Sequence, residues 1–392
     1  MNDVSIVIIG GGVIGCAVAR ELSTRFEDVF LLERNPGITR GENQSSRNSG
    51  VIHSGIYYDR ETRPLKAALC VEGNRLLYAF CSRHRVPALQ TGKLIVASTE
   101  EEDGILDLYL ERAKENGVPG VEKISGGRVR ELEPNVKAVS ALLVPSAGIV
   151  DPASLVYRLH TLAGATGVQF MAGTEVVGLE AHGEGVKVAL RYRDGALDGI
   201  EARCVINAAG VEADLVARML DPDSPYELDP LLAESYKFYG HKREDLALRG
   251  MNIYPTPEIV TTAHGSHFVV GIHLTPTFED LGSPPRMGST VTVGPRHRAV
   301  RDRNERTGEG APARLFADRV RAYFPGLRDD DLLWHQAGIQ ARLKGYPDFI
   351  IRSDPGCPCC IHLLGIDSPG LTASLAVARH AANRIAETGI LS

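Results

Sequence analysis

Short apolar runs alternate with polar turns along the N-terminal segment, in the order typical of a βαβ unit. Residues 4–9 form a nearly continuous apolar, β-branched run, which predicts a strand buried on both faces of a parallel sheet. Helix-forming residues follow over 13–26, and a second apolar run covers 29–32. The pattern therefore predicts a strand, a helix and a second parallel strand.

A glycine motif joins the first predicted strand to the helix. Gly10, Gly12 and Gly15 have the spacing G-x-G-x-x-G, and Glu33 ends the second strand. These glycines permit a tight turn, close approach of a pyrophosphate and close helix packing, while the acid accepts hydrogen bonds from ribose hydroxyls. The helix N-terminus attracts the phosphates. We therefore predict a dinucleotide site formed by Gly10, Gly12, Val13, Ile14, Gly15, Glu33 and Arg34.

The segment 40–58 follows the ribose-binding strand and is rich in small and polar residues. A flavin extends beyond the pyrophosphate and needs such a cover, whereas an NAD site does not usually need one here. The alternative is a flexible surface loop, but the apolar Val51, Ile52 and Ile56 disfavour exposure to solvent. FAD is the predicted cofactor, with contacts from Ser45, Ser46, Asn48, Ser49, Gly50 and Val51.

Two later segments predict further approaches to the cofactor. Strands expected near 174–179, 186–192 and 200–206 end in the small residues Ala209 and Gly210, before a helix that starts near 213. A C-terminal strand leads to a helix predicted over 373–387, whose N-terminal dipole would favour negative charge on the reduced flavin. An ordinary Gly-Pro helix start is the alternative. The predicted contacts are Val176, Ala209, Gly210, Pro369, Gly370, Leu371 and Thr372.

The region 226–334 changes to a β-rich, Pro- and Gly-punctuated pattern, with strands expected near 250–254, 266–274 and 288–293. We predict an α/β protein with a Rossmann-like FAD domain and a second, mostly antiparallel β domain for the substrate. The FAD domain would comprise 1–86, 147–225 and 335–392, and the substrate domain 87–146 and 226–334.

Composition and charge exclude several classes of protein. The 41 glycines among 392 residues exceed the usual ~7%, but they have no G-x-y period, which excludes a collagen-like chain. A net charge of −6 argues against a general nucleic-acid binder. One segment, 286–328, is nevertheless basic, with ten arginines and four acids. It is either a solvated surface or a docking site for an anionic membrane, where electrons would pass to quinone.

Seven scattered cysteines do not predict a disulfide framework, so a reducing compartment is expected. Cys357, Cys359 and Cys360 contain a CxxC spacing, for which metal binding or redox chemistry is the alternative to a Pro-containing turn. We favour the turn, because a structural zinc needs about four ligands and only His362 is close. No metal site is predicted. The N-terminus lacks the features of a signal peptide, and no apolar run reaches ~20 residues. A cytoplasmic protein, at most peripheral on the inner face of the membrane, is expected.

With these motifs, the sequence resembles the D-amino-acid-oxidase-type FAD oxidoreductases over nearly its whole length. Within that group it is similar to the L-2-hydroxyglutarate dehydrogenases and oxidases. The general resemblance rests on the glycine motif, on 205–210 and on 368–372, and the specific one on 48–58, 92–97, 148–152, 253–255 and 271–275. The resemblance implies a glutathione-reductase-type FAD domain.

The resemblance also implies oxidation of a 2-hydroxy acid to a 2-oxo acid. Hydride leaves C2 for flavin N5, a base takes the hydroxyl proton, and quinone or oxygen accepts the electrons. Histidine suits the base because much of it is neutral at pH 7. The candidates are His53 and His273, although His53 could instead contact the flavin or attach it covalently. Candidate substrate ligands are Tyr58, Lys93, Tyr254 and Arg342.

Two other functions fit the same cofactor site. The first is a flavin amine or amino-acid oxidase of the same superfamily. The second is a flavin-binding redox sensor or assembly module without turnover of a small molecule. Reduction of the flavin by a hydroxy acid would separate the proposed dehydrogenase from both.

Overall fold

The computed structural model describes residues 3–38, 43–262, 265–305 and 310–389. Part of the predicted flavin cover, 39–42, and part of the basic segment, 306–309, lie outside these residues. The chain divides into two compact units. The nucleotide unit comprises Met1–Ser46, Pro152–Pro230 and Gln340–Ser392, and the β unit comprises Arg47–Asp151 and Leu231–Ile339. Residues 47–86, expected in the FAD domain, belong to the β unit in this division.

Helices and strands alternate through the first 165 residues, and strands predominate afterwards. The helices of the described residues are α1 (Val13–Leu22), α2 (Pro64–His84), α3 (Glu100–Asn116), α4 (Gly126–Leu132), α5 (Pro152–Ala165), α6 (Ala213–Leu220), α7 (Ala313–Val320) and α8 (Gly370–Thr388). None of these helices has the length and apolar character that crossing a membrane requires. The strands are β1 (Asp3–Ile9), β2 (Val29–Glu33), β3 (Val51–Ile52), β4 (Ala88–Leu89), β5 (Lys93–Ala97), β6 (Glu122–Ser125), β7 (Ser140–Val144), β8 (Gly148–Val150), β9 (Gln169–Ala172), β10 (Thr174–His182), β11 (Gly185–Tyr192), β12 (Leu197–Asn207), β13 (Leu231–Tyr239), β14 (Asn252–Pro255), β15 (Glu258–Thr262), β16 (Gly265–Val269), β17 (His273–Asp280), β18 (Arg286–Ala299), β19 (Leu332–Gln340), β20 (Ile350–Ser353) and β21 (Cys360–Leu364).

The nucleotide unit is built on one sheet with a parallel centre. Strand β1 pairs in parallel with β2 and β12, β2 with β9, and β12 with β21. Strands β10 and β11 add an antiparallel edge to β12. Ile6, Val7 and Ile8 have no exposed surface, because both faces of β1 are covered. The predicted buried parallel strand is confirmed.

Three predicted element bounds are wrong. Helix α1 ends at Leu22, not at 26, because the Ser23 and Thr24 hydroxyls donate to carbonyls of its last turn. Helix α8 begins at Gly370, so the predicted cofactor residues 370–372 form its first turn. The strand expected over 266–274 is two strands, β16 and β17, and the Ile272 carbonyl between them accepts a hydrogen bond from the Tyr323 hydroxyl.

The β unit centres on an eight-stranded sheet with the order β19-β13-β18-β17-β14-β5-β7-β6. Strands β14 and β5 are parallel, with Asn252 opposite Lys93, whereas β17 runs antiparallel to β14. Because side chains alternate across a strand, Leu94 and Ile253 face a core that also holds Phe316 and Phe324. The residues on either side of Leu94 and Ile253 therefore point to the opposite face.

A buried carboxylate fixes the entry to β14. Glu133, with 1% of its surface exposed, accepts backbone hydrogen bonds from Arg249, Gly250 and Met251 at 2.7–2.9 Å. The Asn252 amide then donates to the Gly92 carbonyl at 3.1 Å. These contacts fix the register of β14 relative to β5. The register in turn decides which side chains meet on the opposite face of the sheet.

Candidate active site

The glycine motif forms a turn that has no room for side chains at two of its positions. At Gly10, with φ +107°, an added Cβ would lie 2.6 Å from the Ala208 carbonyl oxygen. At Gly15 it would lie 1.8 Å from the Gly10 oxygen. A Cβ at Gly12 would meet only the Ser45 hydroxyl, at 3.1 Å. The turn is therefore shaped for close backbone approach, with its middle glycine the least crowded, as a bound pyrophosphate requires.

Polar groups around this turn fit a dinucleotide. The N–H groups of the first turn of α1 have no intrahelical acceptor, and that of Val13 donates to the Ser45 hydroxyl at 2.9 Å. Glu33 is buried and accepts from the N–H groups of Gly11 and Asn35 at 2.7 and 2.8 Å. The carboxylate is thus held at the end of β2 with acceptor capacity left for a ribose hydroxyl. Arg34 forms an ion pair with Glu212 at 3.1 Å.

The other predicted cofactor residues are distributed over both units. In the nucleotide unit, Gly210 has φ +59° just after β12, Thr372 is buried in the first turn of α8, and Val176 is buried in β10. In the β unit, the Asn48 side chain accepts from the Gly50 N–H at 2.9 Å, which precedes the short strand β3. Their contact with the cofactor stays a prediction.

Lys93, Tyr254 and His273 meet on the face of the β-unit sheet opposite the Leu94 core. Tyr254 follows Ile253 on β14, and His273 precedes its antiparallel partner Leu274 on β17. The Tyr254 and His273 rings stack with their centroids 3.8 Å apart and an interplanar angle of 10°. The Lys93 Nζ lies 3.8 Å from the Tyr254 ring centroid. We call these residues, together with His53 and Tyr57, the Lys93 cluster.

The lysine at the centre of this cluster is buried without an acceptor. Lys93 has no exposed surface, and its Nζ has no hydrogen-bond partner among the residues that the structure describes. A second aromatic ring is close, since the Nζ lies 5.2 Å from the Tyr57 ring centroid. Burial lowers the pKa of Lys93 to about 7. A carboxylate bound beside the Nζ would favour its charged form.

Both histidines of the cluster are held in the neutral form. His273 is buried, and its Nδ1 lies 3.1 Å from the Thr275 hydroxyl. Loss of solvation, followed by the charge of Lys93, lowers the pKa of His273 and of His53 well below the usual value of 6.5. His53 follows β3, and Asn74 holds its carbonyl at 2.8 Å. His53 keeps part of its surface accessible, so it is the member most open to a substrate.

The structure brings three of the six residues predicted for catalysis and substrate binding into contact, Lys93, Tyr254 and His273. A fourth, His53, is near enough for the charge of Lys93 to lower its pKa. Tyr58 is buried against Ala67 and Cys70 instead. Arg342 lies in the nucleotide unit, where its guanidinium is paired with Asp229.

Sequence reasoning missed Tyr57. Its ring lies 6.4 Å from that of Tyr254, and its hydroxyl has no hydrogen-bond partner among the described residues. The two adjacent tyrosines lie in a turn, where no period shows which ring faces the cluster.

We expect Gly15→Ala to weaken FAD binding by at least about tenfold, a loss of ~1.4 kcal/mol. The added methyl would overlap the Gly10 oxygen, so the turn must open. The check is FAD affinity, measured by titrating the flavin-free protein. Gly164→Ala in α5 is the matched control, because its Cβ would meet nothing within 4 Å. Equal affinity of both variants would contradict the assigned turn.

We expect Lys93→Met to raise the melting temperature, and more so at pH 6 than at pH 9. The folded protein binds fewer protons than the unfolded chain between pH 7 and about 10.4, so the cost of burying Lys93 is largest below pH 7 and falls as pH rises. The gain in the free energy of unfolding caused by Lys93→Met should be larger at pH 6 than at pH 9 by on the order of 2–3 kcal/mol. Thermal unfolding at both values, with Lys137→Met at an exposed position as control, measures it. A gain that does not depend on pH would count against a buried, titrating Lys93.

Comparison with known proteins agrees with this architecture over the whole chain. Residues 5–384 match the family model described as DAO, FAD dependent oxidoreductase. The mitochondrial L-2-hydroxyglutarate dehydrogenase of Arabidopsis thaliana is 31% identical, over 97% of this chain and 83% of that protein. The L-2-hydroxyglutarate dehydrogenase of Indibacter alkaliphilus is 30% identical, over 96% of this chain and 97% of the relative.

Solved structures show the same fold. The L-α-glycerophosphate oxidase of Mycoplasma pneumoniae, with FAD bound, superimposes with a TM-score of 0.84 at 26% identity, covering 98% of this chain and 95% of that one. Glycine oxidase from Geobacillus kaustophilus has a TM-score of 0.75 at 19% identity, over 99% and 95% of the two chains, a likeness of fold alone. The predicted fold class and the FAD cofactor are confirmed. Because the family model covers nearly the entire chain, the protein belongs to the DAO family of FAD-dependent oxidoreductases.

Proposed function

We propose that the protein oxidises a 2-hydroxy dicarboxylic acid, L-2-hydroxyglutarate, to its 2-oxo acid. Relatives that align over nearly the whole chain carry the name L-2-hydroxyglutarate dehydrogenase. The observation that carries the proposal is the buried Lys93 ammonium, which has no acceptor within the described part of the chain and lies near two histidines with lowered pKa values. A buried cation calls for an anionic partner, and a hydroxyl proton needs a neutral base.

FAD supplies the acceptor for the hydride that leaves substrate C2. In the nucleotide unit, the residues that would hold it are the glycine turn, Glu33 and the small residues after β12. A contact from 48–51 of the β unit stays a prediction from the sequence. Their backbone N–H groups and close-packed glycines suit the phosphates and the ribityl chain.

The histidines provide the proton acceptor for the substrate hydroxyl. A histidine whose pKa lies below 6.5 is neutral at pH 7 and has an unprotonated ring nitrogen. The reaction gives the base a positive charge only a short distance from Lys93. His53 has the more accessible side chain, while His273 is oriented by Tyr254 and Thr275. Both His53 and His273 are therefore candidates for the base.

The charge of the cluster favours a substrate with two carboxylates. After the hydroxyl proton has moved, the cluster holds up to two positive charges, on Lys93 and on a histidine. A dianionic substrate can offset both, whereas a monoanion leaves one uncompensated in a region of low dielectric. Lys93 and Tyr254 are therefore our proposed ligands for a substrate carboxylate. Tyr58, which is buried against Ala67 and Cys70, and Arg342, which is paired with Asp229, stay predictions.

The physiological electron acceptor, quinone or oxygen, stays a prediction from the sequence, as does docking of 286–328 to an anionic membrane. Several arginines of this segment are paired with acids, which reduces its free positive charge. The pairs are Arg286 with Asp280, Arg296 with Glu234, Arg298 with Glu305, Arg319 with Glu258, and Arg321 with Asp318.

We expect L-2-hydroxyglutarate to bleach the flavin absorbance of the wild-type protein under anaerobic conditions. The variant that lacks the base, either His53→Ala or His273→Ala, should be reduced about 10²–10⁴-fold more slowly than the wild-type protein. Rapid-mixing absorbance of purified variants with matched flavin content measures the rates. Wild-type rates in both variants would remove the histidines from the mechanism. Bleaching by amino acids with ammonia release, but not by hydroxy acids, would select an amino-acid oxidase.

We expect Lys93→Met to raise KM for L-2-hydroxyglutarate by about 10–100-fold, because a buried charged hydrogen bond contributes ~1.5–3 kcal/mol. The wild-type KM should itself rise with pH above 7, as free Lys93 loses its proton. The comparison substrate is L-2-hydroxybutyrate, which lacks the distal carboxylate. If Lys93→Met affects the two acids equally, Lys93 does not bind the distal carboxylate.

A further inference from the structure

Residues 357–360 of the nucleotide unit form a tight turn before β21. The Cys360 N–H donates to the Cys357 carbonyl at 2.8 Å, the bond that closes a β-turn. Pro358 stands second in the turn, where its fixed φ is favoured. The turn holds the sulfurs of Cys357 and Cys359 only 3.2 Å apart. A disulfide has an S–S distance of about 2.05 Å, so a small side-chain movement would join them.

Buried contacts fix this turn from both sides. The Asp354 carboxylate accepts from the N–H groups of Gly356 and Cys357 at 2.9 and 3.0 Å. Its other oxygen lies 3.0 Å from His362 Nε2. The sulfur pair is therefore preorganised by a network in which aspartate and histidine are almost fully buried.

The turn borders a cavity. Cys357 lines a space of about 370 Å³, together with Asp354, Gly356 and Asp221. This space can admit a molecule the size of water or hydrogen peroxide. Cys357 and Cys359 keep 4% and 7% of their surfaces exposed, whereas Cys204 and Cys360 have none.

The contact between the two sulfurs also shifts their pKa values in opposite directions. It raises the pKa of Cys357 and lowers the pKa of Cys359. The other five thiols have pKa values raised by burial: Cys16, Cys70, Cys81, Cys204 and Cys360. Since the thiolate is the reactive form and Cys359 is also the more exposed of the two, Cys359 is the preferred nucleophile.

We propose that Cys357 and Cys359 form a modification site: a dithiol that a peroxide oxidises to an intramolecular disulfide. The Cys359 thiolate attacks one peroxide oxygen, the O–O bond breaks, and the departing hydroxide takes up a proton to form water. The Cys357 sulfur then attacks the resulting sulfenic sulfur. The S–S bond forms, and the hydroxyl leaves as water with the Cys357 proton. Two thiols are oxidised by two electrons, and one peroxide is reduced to two waters.

This site is separate from the glycine turn. Through the sheet register, Cys360 lies level with Val205 of β12 and Val7 of β1, three positions before Gly10. The proposal does not depend on the substrate or on the residues of the Lys93 cluster, so the failure of either proposal leaves the other untouched.

The test is peptide mass mapping of the FAD-loaded protein after brief treatment with hydrogen peroxide and alkylation of the remaining thiols. Cleavage after Arg352 and Arg379 yields one peptide with all three cysteines. We expect this peptide to lose two hydrogens and to keep one alkylated cysteine, while Cys16 and Cys70 stay fully alkylated after denaturation. Cys360→Ala and Cys204→Ala serve as controls that should still form the bridge.

Cys359→Ala should abolish the bridge, and Cys357→Ala should stop at a sulfenic acid on Cys359, which a cyclic 1,3-diketone traps. A bridge that requires Cys360 or Cys204 would overturn the proposal. The proposal would also be overturned if, in the wild-type protein, peroxide oxidised this peptide no faster than Cys16 and Cys70. This measurement uses the wild-type protein alone, so it does not depend on the folding of any variant.

Discussion

The chemistry that we propose depends on the ammonium group of Lys93, which lies beside the rings of Tyr254 and Tyr57 and has no hydrogen-bond acceptor among the described residues. Desolvation makes the charged form of Lys93 costly, so its pKa lies near neutrality and the charge responds to whatever binds beside it. The same positive charge helps to keep His53 and His273 neutral, as a proton acceptor must be. In the proposed function, this one buried group links recognition of an anion to proton transfer.

The sheet of the β unit positions Lys93 beside the other residues of the cluster. Lys93 and Tyr254 come from neighbouring parallel strands, and His273 from the antiparallel strand next to them. Glu133 holds the backbone just before β14, and Asn74 holds the carbonyl of His53. A shift of one residue in the register would turn Tyr254 toward the Phe316 core and separate it from Lys93. The geometry of the Lys93 cluster therefore depends on the register of these strands.

Much of the fold and part of the site could be predicted from the sequence, where the signal is local. The glycine spacing, the acid at Glu33 and the β-branched run of β1 lie within 33 residues, and each follows from backbone sterics over a few positions. Element ends were less predictable. Helix α1 stops early because of two hydroxyl side chains, and the expected strand over 266–274 is broken where Tyr323, far along the chain, binds a carbonyl.

The sequence by itself determined that this chain binds a dinucleotide, that the dinucleotide is FAD, and which histidines, lysine and tyrosine are candidates for chemistry. Only the tertiary structure decided which candidates meet. Tyr57 rather than Tyr58 joins the cluster, Arg342 is paired with an aspartate, and Cys357 and Cys359 bring their sulfurs together. The physical reason for this division is that a sequence motif is defined by the spacing of residues within one short segment. Strand register and burial depend on contacts between residues more than a hundred positions apart, which no local pattern records.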